Sequence, residues 1–98
     1  MNSGNVAKDS KGPPMSRILV VDDSPVERRM MGGLLGTNPD WTVDFAGDGA
    51  EALNRCLSHE PDIVVTDFNM PNMDGLQLLS KLRQRHPRIP VVIATSSG

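Results

Sequence analysis

The chain has 98 residues, of which 38% are hydrophobic and 22% charged, and its net charge is −2. These values predict one small domain with a single core and argue against direct nucleic-acid binding, which needs a basic surface. No apolar run approaches the roughly 18 residues that span a bilayer. The N-terminus lacks the apolar centre of a secretory signal, so we expect a cytoplasmic protein. Cys56 is the only cysteine, which excludes an internal disulfide.

Residues 1–14 differ in composition from the rest of the chain. They are rich in Asn, Ser, Gly, Lys and Pro and offer almost nothing to bury, so we expect a disordered N-terminal extension. Over residues 15–98, short β-branched runs alternate with helical patterns, which is typical of βαβ units and a parallel sheet. The sequence therefore predicts an α/β domain that follows a tail.

Four strands and three helices are predicted in alternation. The first strand, 17–22, is apolar throughout its centre, as expected when both faces of a strand are covered. Each helix follows a residue that can cap its first turn, namely Ser24, Asp48 and Asp74. The other predicted elements are helix one from residue 25, strand 41–46, helix two to about residue 59, strand 62–67, helix three to about residue 86 and strand 90–95.

Apolar residues at helical spacing predict which helix faces turn inward. The inward set is Val26, Met30, Met31, Leu34 and Leu35 in helix one, and Leu76, Leu79 and Leu82, flanked by Leu78, in helix three. In helix two, the spacing of Cys56 from neighbouring leucines predicts a buried thiol. We interpret Arg28 and Arg29 as part of a solvated helix face, the usual place for paired charges.

Three aspartates follow the apolar runs of two predicted strands. Asp22 and Asp23 follow the first strand, and Asp67 follows the third. Because parallel strands present their carboxyl ends at one edge of the sheet, where open α/β sheets bind ligands, these carboxylates should converge. Mg²⁺ prefers oxygen ligands and often binds one or two carboxylates with a substrate phosphate. A carboxylate can also attack a phosphoryl group, which makes Asp67 a candidate nucleophile.

The segment from Asp67 to Gly75, Asp-Phe-Asn-Met-Pro-Asn-Met-Asp-Gly, and the run Ile-Leu-Val-Val-Asp-Asp-Ser at 18–24 resemble the receiver domain of two-component response regulators. The resemblance implies a flavodoxin-like, doubly wound parallel sheet with strand order 2-1-3-4-5. Four strands and three helices of that fold are expected, with the fifth strand and last two helices missing. Gly75 is expected where the backbone needs conformational freedom.

The resemblance also implies roles for five residues. Asp67 accepts a phosphoryl group from a histidine kinase, a phosphotransfer protein or a small phosphodonor. Asp23 and Asp67 bind Mg²⁺ through their carboxylates, and Asp22 acts on the metal through a bound water. Asn69 offers the metal its backbone carbonyl. Thr95 is the switch hydroxyl that bonds a phosphoryl oxygen.

The chain departs from the family it resembles at its C-terminal end. That family carries a lysine on its fifth strand, whereas Lys81 falls within predicted helix three. We therefore expect an incomplete receiver whose last strand is an open edge. It would exist as a marginal monomer, as a strand-mediated or swapped oligomer, or as a fragment of a longer reading frame.

Two functions stay open at this point. One is a phospho-accepting module that signals to an output domain or effector protein, and the other is a truncated receiver that binds a kinase without transmitting. A phosphohydrolase of the haloacid dehalogenase type is disfavoured, because Asn69 stands where those enzymes need an acid. We expect no enzymatic activity beyond self-catalysed phosphotransfer and dephosphorylation.

Overall fold

A computed structural model describes residues 16–94 of the chain. The expected N-terminal extension at 1–14 and the predicted switch residue Thr95 lie outside the described residues. The described elements are β1 Ser16–Val21, α1 Pro25–Leu35, β2 Trp41–Ala46, α2 Gly49–Ser58, β3 Ile63–Asp67, α3 Gly75–Arg85 and β4 Val91–Ala94. The predicted alternation of strands and helices is confirmed, with ends that differ by a residue or two.

The four strands form one parallel sheet in the order β2-β1-β3-β4. In the register, Val21 at the end of β1 pairs with Ala46 of β2 and Thr66 of β3. Asp67, the last residue of β3, pairs with Ala94 of β4. The carboxyl ends of the strands therefore lie side by side, and the arrangement is the predicted flavodoxin-like fold.

Side-chain caps fix where the three helices begin. Ser24, Asp48 and Asp74 each accept a hydrogen bond from the backbone N–H three residues later, at 2.7 to 3.2 Å. At α3 the cap is reciprocal, because the Gln77 side chain accepts from the backbone N–H of Asp74 at 2.9 Å. These bonds satisfy N–H groups that the first turn of a helix leaves unpaired. All three predicted caps are confirmed.

The main core lies between the sheet and the pair α2 and α3. Its buried residues are Leu19, Val21, Ala46, Ala52, Cys56, Val64, Met70, Leu78, Leu82 and Ile89. The thiol of Cys56 is buried, as predicted. α2 and α3 pack on each other, whereas α1 packs on β1 and β2. Right-handed crossovers place α1 on the opposite face of the sheet from α2 and α3.

The predicted inward face of α1 is wrong in three of its five residues. Val26, Met30 and Leu34 are 62%, 61% and 69% exposed. Met31 and Leu35 are partly buried. Within residues 16–94, α1 is the only helix on its side of the sheet, so only the residues facing the strands are covered. A single helix packed on a flat surface cannot bury so wide an apolar stripe.

The inward face of α3 also differs from its prediction. Leu78 and Leu82 are fully buried, whereas Leu76 is 55% exposed. Leu79 is partly buried. The buried pair is spaced by four residues, which places both side chains on the same face of the helix. Periodicity predicted the helix and the burial of Leu82 correctly, but it wrongly included Leu76 in the buried face.

Within the described part of the chain, no helix has the length and apolar character needed to cross a membrane.

Candidate phosphoryl-transfer site

Three carboxylates meet at the carboxyl edge of the sheet. Asp22 and Asp23 follow β1, and Asp67 ends the neighbouring strand β3. One carboxylate oxygen from each residue lies within 4.8 Å of the other two. Asp22 and Asp67 are buried, whereas Asp23 is exposed. The predicted convergence is confirmed, and it produces an acidic cluster that is open to solvent on one side.

Asp22 is held rigidly in this cluster. Its backbone N–H donates to the carbonyl of Ala46 at 3.1 Å, and its Oδ1 accepts from the backbone N–H of Ser24 at 2.9 Å. Burial has the largest effect on this carboxyl and raises its pKa. The hydrogen bond from Ser24 lowers the pKa, and the negative charges of Asp67 and Asp23 raise it again. The net result is a pKa above the ordinary value, because burial first, and the neighbouring carboxylates second, disfavour the ionised form of Asp22.

Asp67 has an oxygen available for chemistry. Its Oδ1 is buried and has no hydrogen-bond partner among the described residues. Buried polar atoms are normally paired, so an unpaired carboxylate oxygen at a cluster of acids needs a functional explanation. The backbone carbonyl of Asp67 is fixed by the hydroxyl of Thr66, which donates to it at 3.0 Å. The nucleophile candidate therefore combines a fixed backbone with an unused side-chain oxygen.

The loop that follows Asp67 brings α3 close to the cluster. The backbone N–H of Gly75 donates to the carbonyl of Phe68 at 2.8 Å. A Cβ on Gly75 would lie 2.7 Å from the Asp67 carbonyl oxygen and 3.1 Å from Phe68 Cα. The loop turns at Asn72, whose φ of 72° is in the left-handed region that Asn tolerates well.

The expectation for Gly75 was wrong in its reason. Gly75 is the first residue of α3, and the left-handed backbone of this loop is at Asn72 instead. What Gly75 provides is space, because the helix start approaches the backbone of Asp67 too closely for a side chain. The glycine therefore sets how near α3 lies to the nucleophile candidate.

Two other site residues were predicted, Asn69 and Thr95. Asn69 is exposed in the loop two residues after Asp67. Thr95 follows Ala94, the residue that pairs with Asp67 across β3 and β4, and lies outside the described residues. The structure thus brings together Asp22, Asp23 and Asp67 and keeps Asn69 on the adjoining loop.

Arg28 is a site residue that the sequence interpretation missed. It is partly buried, and its Nη1 donates to the backbone carbonyl of Asp22 at 2.6 Å. Its positive charge lowers the pKa of Asp22, although less than the other effects. The interpretation as a solvated helix face is wrong for Arg28 and correct for Arg29, which is exposed. The two adjacent arginines differ because α1 packs against the end of β1 with Arg28 facing Asp22 and Arg29 facing solvent.

Two cavities differ in their chemistry. A cavity of about 210 Å³ adjoins the cluster and is lined by Val20, Val21, Asp22, Glu27, Met31, Val65, Thr66, Asp67 and Ala94. A larger groove of about 480 Å³ includes Arg17, Asp44, Glu51 and Arg55 among its lining residues. In that groove Arg17 pairs with Asp44 at 3.1 Å and Arg55 with Glu51 at 3.4 Å. Its charges are satisfied internally, so the smaller cavity is the better candidate site.

Comparison with known proteins agrees with this geometry. Residues 18–98 match the model of a family described as the response regulator receiver domain. Chemotaxis protein CheY4 of Vibrio cholerae has a similar structure, with a TM-score of 0.79 and 30% identity, covering 86% of this chain and 71% of that one.

Two curated relatives are similar in sequence. A probable transcriptional regulatory protein, TcrX, of Mycobacterium tuberculosis is 40% identical over 85 residues, which are 87% of this chain and 36% of the relative. The sensor histidine kinase RcsC of Salmonella typhimurium is 44% identical over 81 residues, 83% of this chain and 8% of the relative. The chain therefore spans 36% of the length of the first relative and 8% of the length of the second.

Proposed function

Because the chain belongs to the response regulator receiver domain family, we propose that it is the phospho-accepting module of a two-component phosphorelay. In this proposal Asp67 is phosphorylated in a Mg²⁺-dependent reaction. The phosphodonor is a histidine kinase, a phosphotransfer protein or a small acyl phosphate, and the module works in the cytoplasm. An output domain or effector protein would receive the signal.

The observation that carries the proposal is the state of Asp67. Its Oδ1 is buried, lacks a partner among the described residues, and lies in a cluster with two further carboxylates. In the proposed reaction, a carboxylate oxygen of Asp67 forms a bond to phosphorus while the bond from phosphorus to the donor breaks. The electron pair of that bond leaves with the donor, and an aspartyl phosphate results.

The residues of the cluster fit a hard divalent cation. Asp23 and Asp67 would bind it directly, Asp22 through a water, and Asn69 through its backbone carbonyl. Mg²⁺ accepts such a set because it prefers oxygen ligands and keeps several waters. When bound, it supplies the positive charge that phosphoryl transfer between anionic groups requires. The geometry supports this fit, because one carboxylate oxygen from each of the three aspartates lies within 4.8 Å of the other two.

The other residues of the site hold the acceptor in place. The Asp67 carbonyl is fixed by Thr66, and the start of α3 rests against it at Gly75. We assign Thr95 the role of donating a hydrogen bond to a phosphoryl oxygen. The register supports this assignment, since the preceding residue Ala94 pairs with Asp67.

Intact-mass spectrometry after incubation with acetyl phosphate and Mg²⁺ tests the proposal. The wild-type chain should gain one phosphoryl group, and chelation of Mg²⁺ should prevent the gain. Asp67→Asn should remove it, whereas Asp40→Asn, which makes the same charge change at an exposed residue after α1, should not. A wild-type chain without an adduct, or an undiminished adduct in Asp67→Asn, would refute the acceptor role. A chain that binds a kinase but takes no phosphate would support the non-transmitting module instead.

A further inference from the structure

We propose that Arg28 is a positioning residue that fixes the orientation of the Asp22–Asp23 peptide for Mg²⁺ binding, an inference that rests on the proposed function. Its Nη1 donates to the backbone carbonyl of Asp22 at 2.6 Å. That carbonyl belongs to the peptide that leads directly into Asp23. Hydrogen bonds from a charged donor are stronger than neutral ones, so this contact restrains the peptide plane.

The contact completes the restraint of Asp22. The backbone N–H of Asp22 is bound to Ala46, and its carboxylate is bound to the N–H of Ser24. The carbonyl is the remaining backbone polar group of this residue, and Arg28 binds it. Because Asp23 is exposed, its direction depends largely on the peptide before it. Loss of the Arg28 contact would leave that peptide free to rotate.

Arg28 is itself well placed to act as a brace. Its backbone N–H donates to the Ser24 carbonyl at 3.0 Å in the first turn of α1. Its guanidinium also lies beside the loop between β2 and α2, since a Cβ on Gly47 would be 3.4 Å from Nη1. The side chain thus joins two loops at the edge of the sheet that carries the acidic cluster.

Charge and position predict opposite effects on Mg²⁺ affinity when Arg28 is replaced. Removal of a positive charge near three carboxylates should strengthen cation binding, because repulsion of the cation falls. Removal of a positioning contact should weaken it, because groups that orient metal ligands typically contribute about 10- to 100-fold in affinity. The direction of the change therefore separates the two roles. Arg29→Met provides the matched control, with the same charge change one residue away on an exposed side chain.

Isothermal titration calorimetry with Mg²⁺ on the full chain measures these affinities. Arg28→Met should bind Mg²⁺ about tenfold more weakly than Arg29→Met. Arg28→Lys, which keeps the charge and a donor, should fall between Arg28→Met and wild type. When acetyl phosphate is the phosphodonor, Arg28→Met should need a higher Mg²⁺ concentration than wild type for half-maximal phosphorylation. The maximal rate of phosphorylation should fall by a smaller factor.

Each outcome decides the inference. Equal or tighter Mg²⁺ binding by Arg28→Met than by Arg29→Met would overturn it. If circular dichroism shows that Arg28→Met does not fold, the comparison passes to Arg28→Lys against wild type, where unchanged affinity overturns it. If the wild-type chain itself binds no Mg²⁺, the proposed metal site fails and this inference fails with it. If the wild-type chain binds Mg²⁺ and replacement of Arg28 leaves the affinity unchanged, only the inference about Arg28 is refuted and the metal site stands.

Discussion

Replacement of Gly75 by alanine tests whether α3 and the Asp67 backbone are in direct steric contact. The new Cβ would lie 2.7 Å from the Asp67 carbonyl oxygen, about 0.6 Å closer than an ordinary carbon–oxygen contact of ~3.3 Å. Backbone atoms cannot swing away as a flexible side chain can. Overpacking of this kind costs about 1–3 kcal/mol, and the better helix propensity of alanine offsets at most about 1 kcal/mol. We therefore expect a net loss of about 1–2 kcal/mol in the free energy of unfolding.

Gly33→Ala is the control, because a Cβ on this α1 residue would meet nothing within 4 Å. It should stabilise the protein by about 0.5–1 kcal/mol through helix propensity alone. Thermal unfolding followed by circular dichroism measures both, and Gly75→Ala should melt about 4–16 °C lower than wild type. Phosphorylation of Gly75→Ala should also slow, because relief of the clash displaces the backbone that carries Asp67. Equal shifts in the same direction for both variants would refute the steric explanation.

Two further predictions concern the cluster and the core. Asp22→Asn should raise the melting temperature in Mg²⁺-free buffer at pH 7, because the raised pKa of Asp22 means that its ionised form opposes folding. The cost of ionising Asp22 in the folded protein is present above its folded pKa and is lost as the pH falls. The difference in melting temperature between Asp22→Asn and wild type should therefore narrow toward pH 3.8, the ordinary pKa of this group. A difference that stays constant with pH would contradict the mechanism. Leu82→Ala, at a fully buried residue, should cost about 2–5 kcal/mol in urea unfolding. Leu76→Ala, at a residue 55% exposed, should change stability by less than about 0.5 kcal/mol, and equal losses would contradict the corrected face of α3.

The sequence predicted the strands and helix starts of this fold because their signals are local. Apolar runs such as Ile18 to Val21, and cap residues such as Asp74, act on neighbouring backbone within a few residues. It predicted the convergence of Asp22 and Asp67 for a related reason, since parallel strands always present their carboxyl ends at one edge.

The faces of the helices were predicted less well. Apolar spacing in α1 marks Val26 and Leu34 as candidates for burial, but burial depends on what packs against the helix. Within the described part of the chain, α1 covers its side of the sheet alone, so three of the five apolar residues predicted to face inward stay exposed. The same limit explains Leu76 in α3, because periodicity does not say which of two adjacent rows faces the sheet.

The acidic cluster was therefore determined by the sequence alone: residue types at strand ends, within a parallel alternation of elements, are enough to bring Asp22, Asp23 and Asp67 together. Only the tertiary structure decided how the cluster is supported. The distinction between Arg28 and Arg29, and the need for Gly75 to be small, depend on contacts of a few ångströms between the start of a helix and the end of the strand before it. Such contacts depend on how helices sit on the sheet, which no local pattern encodes.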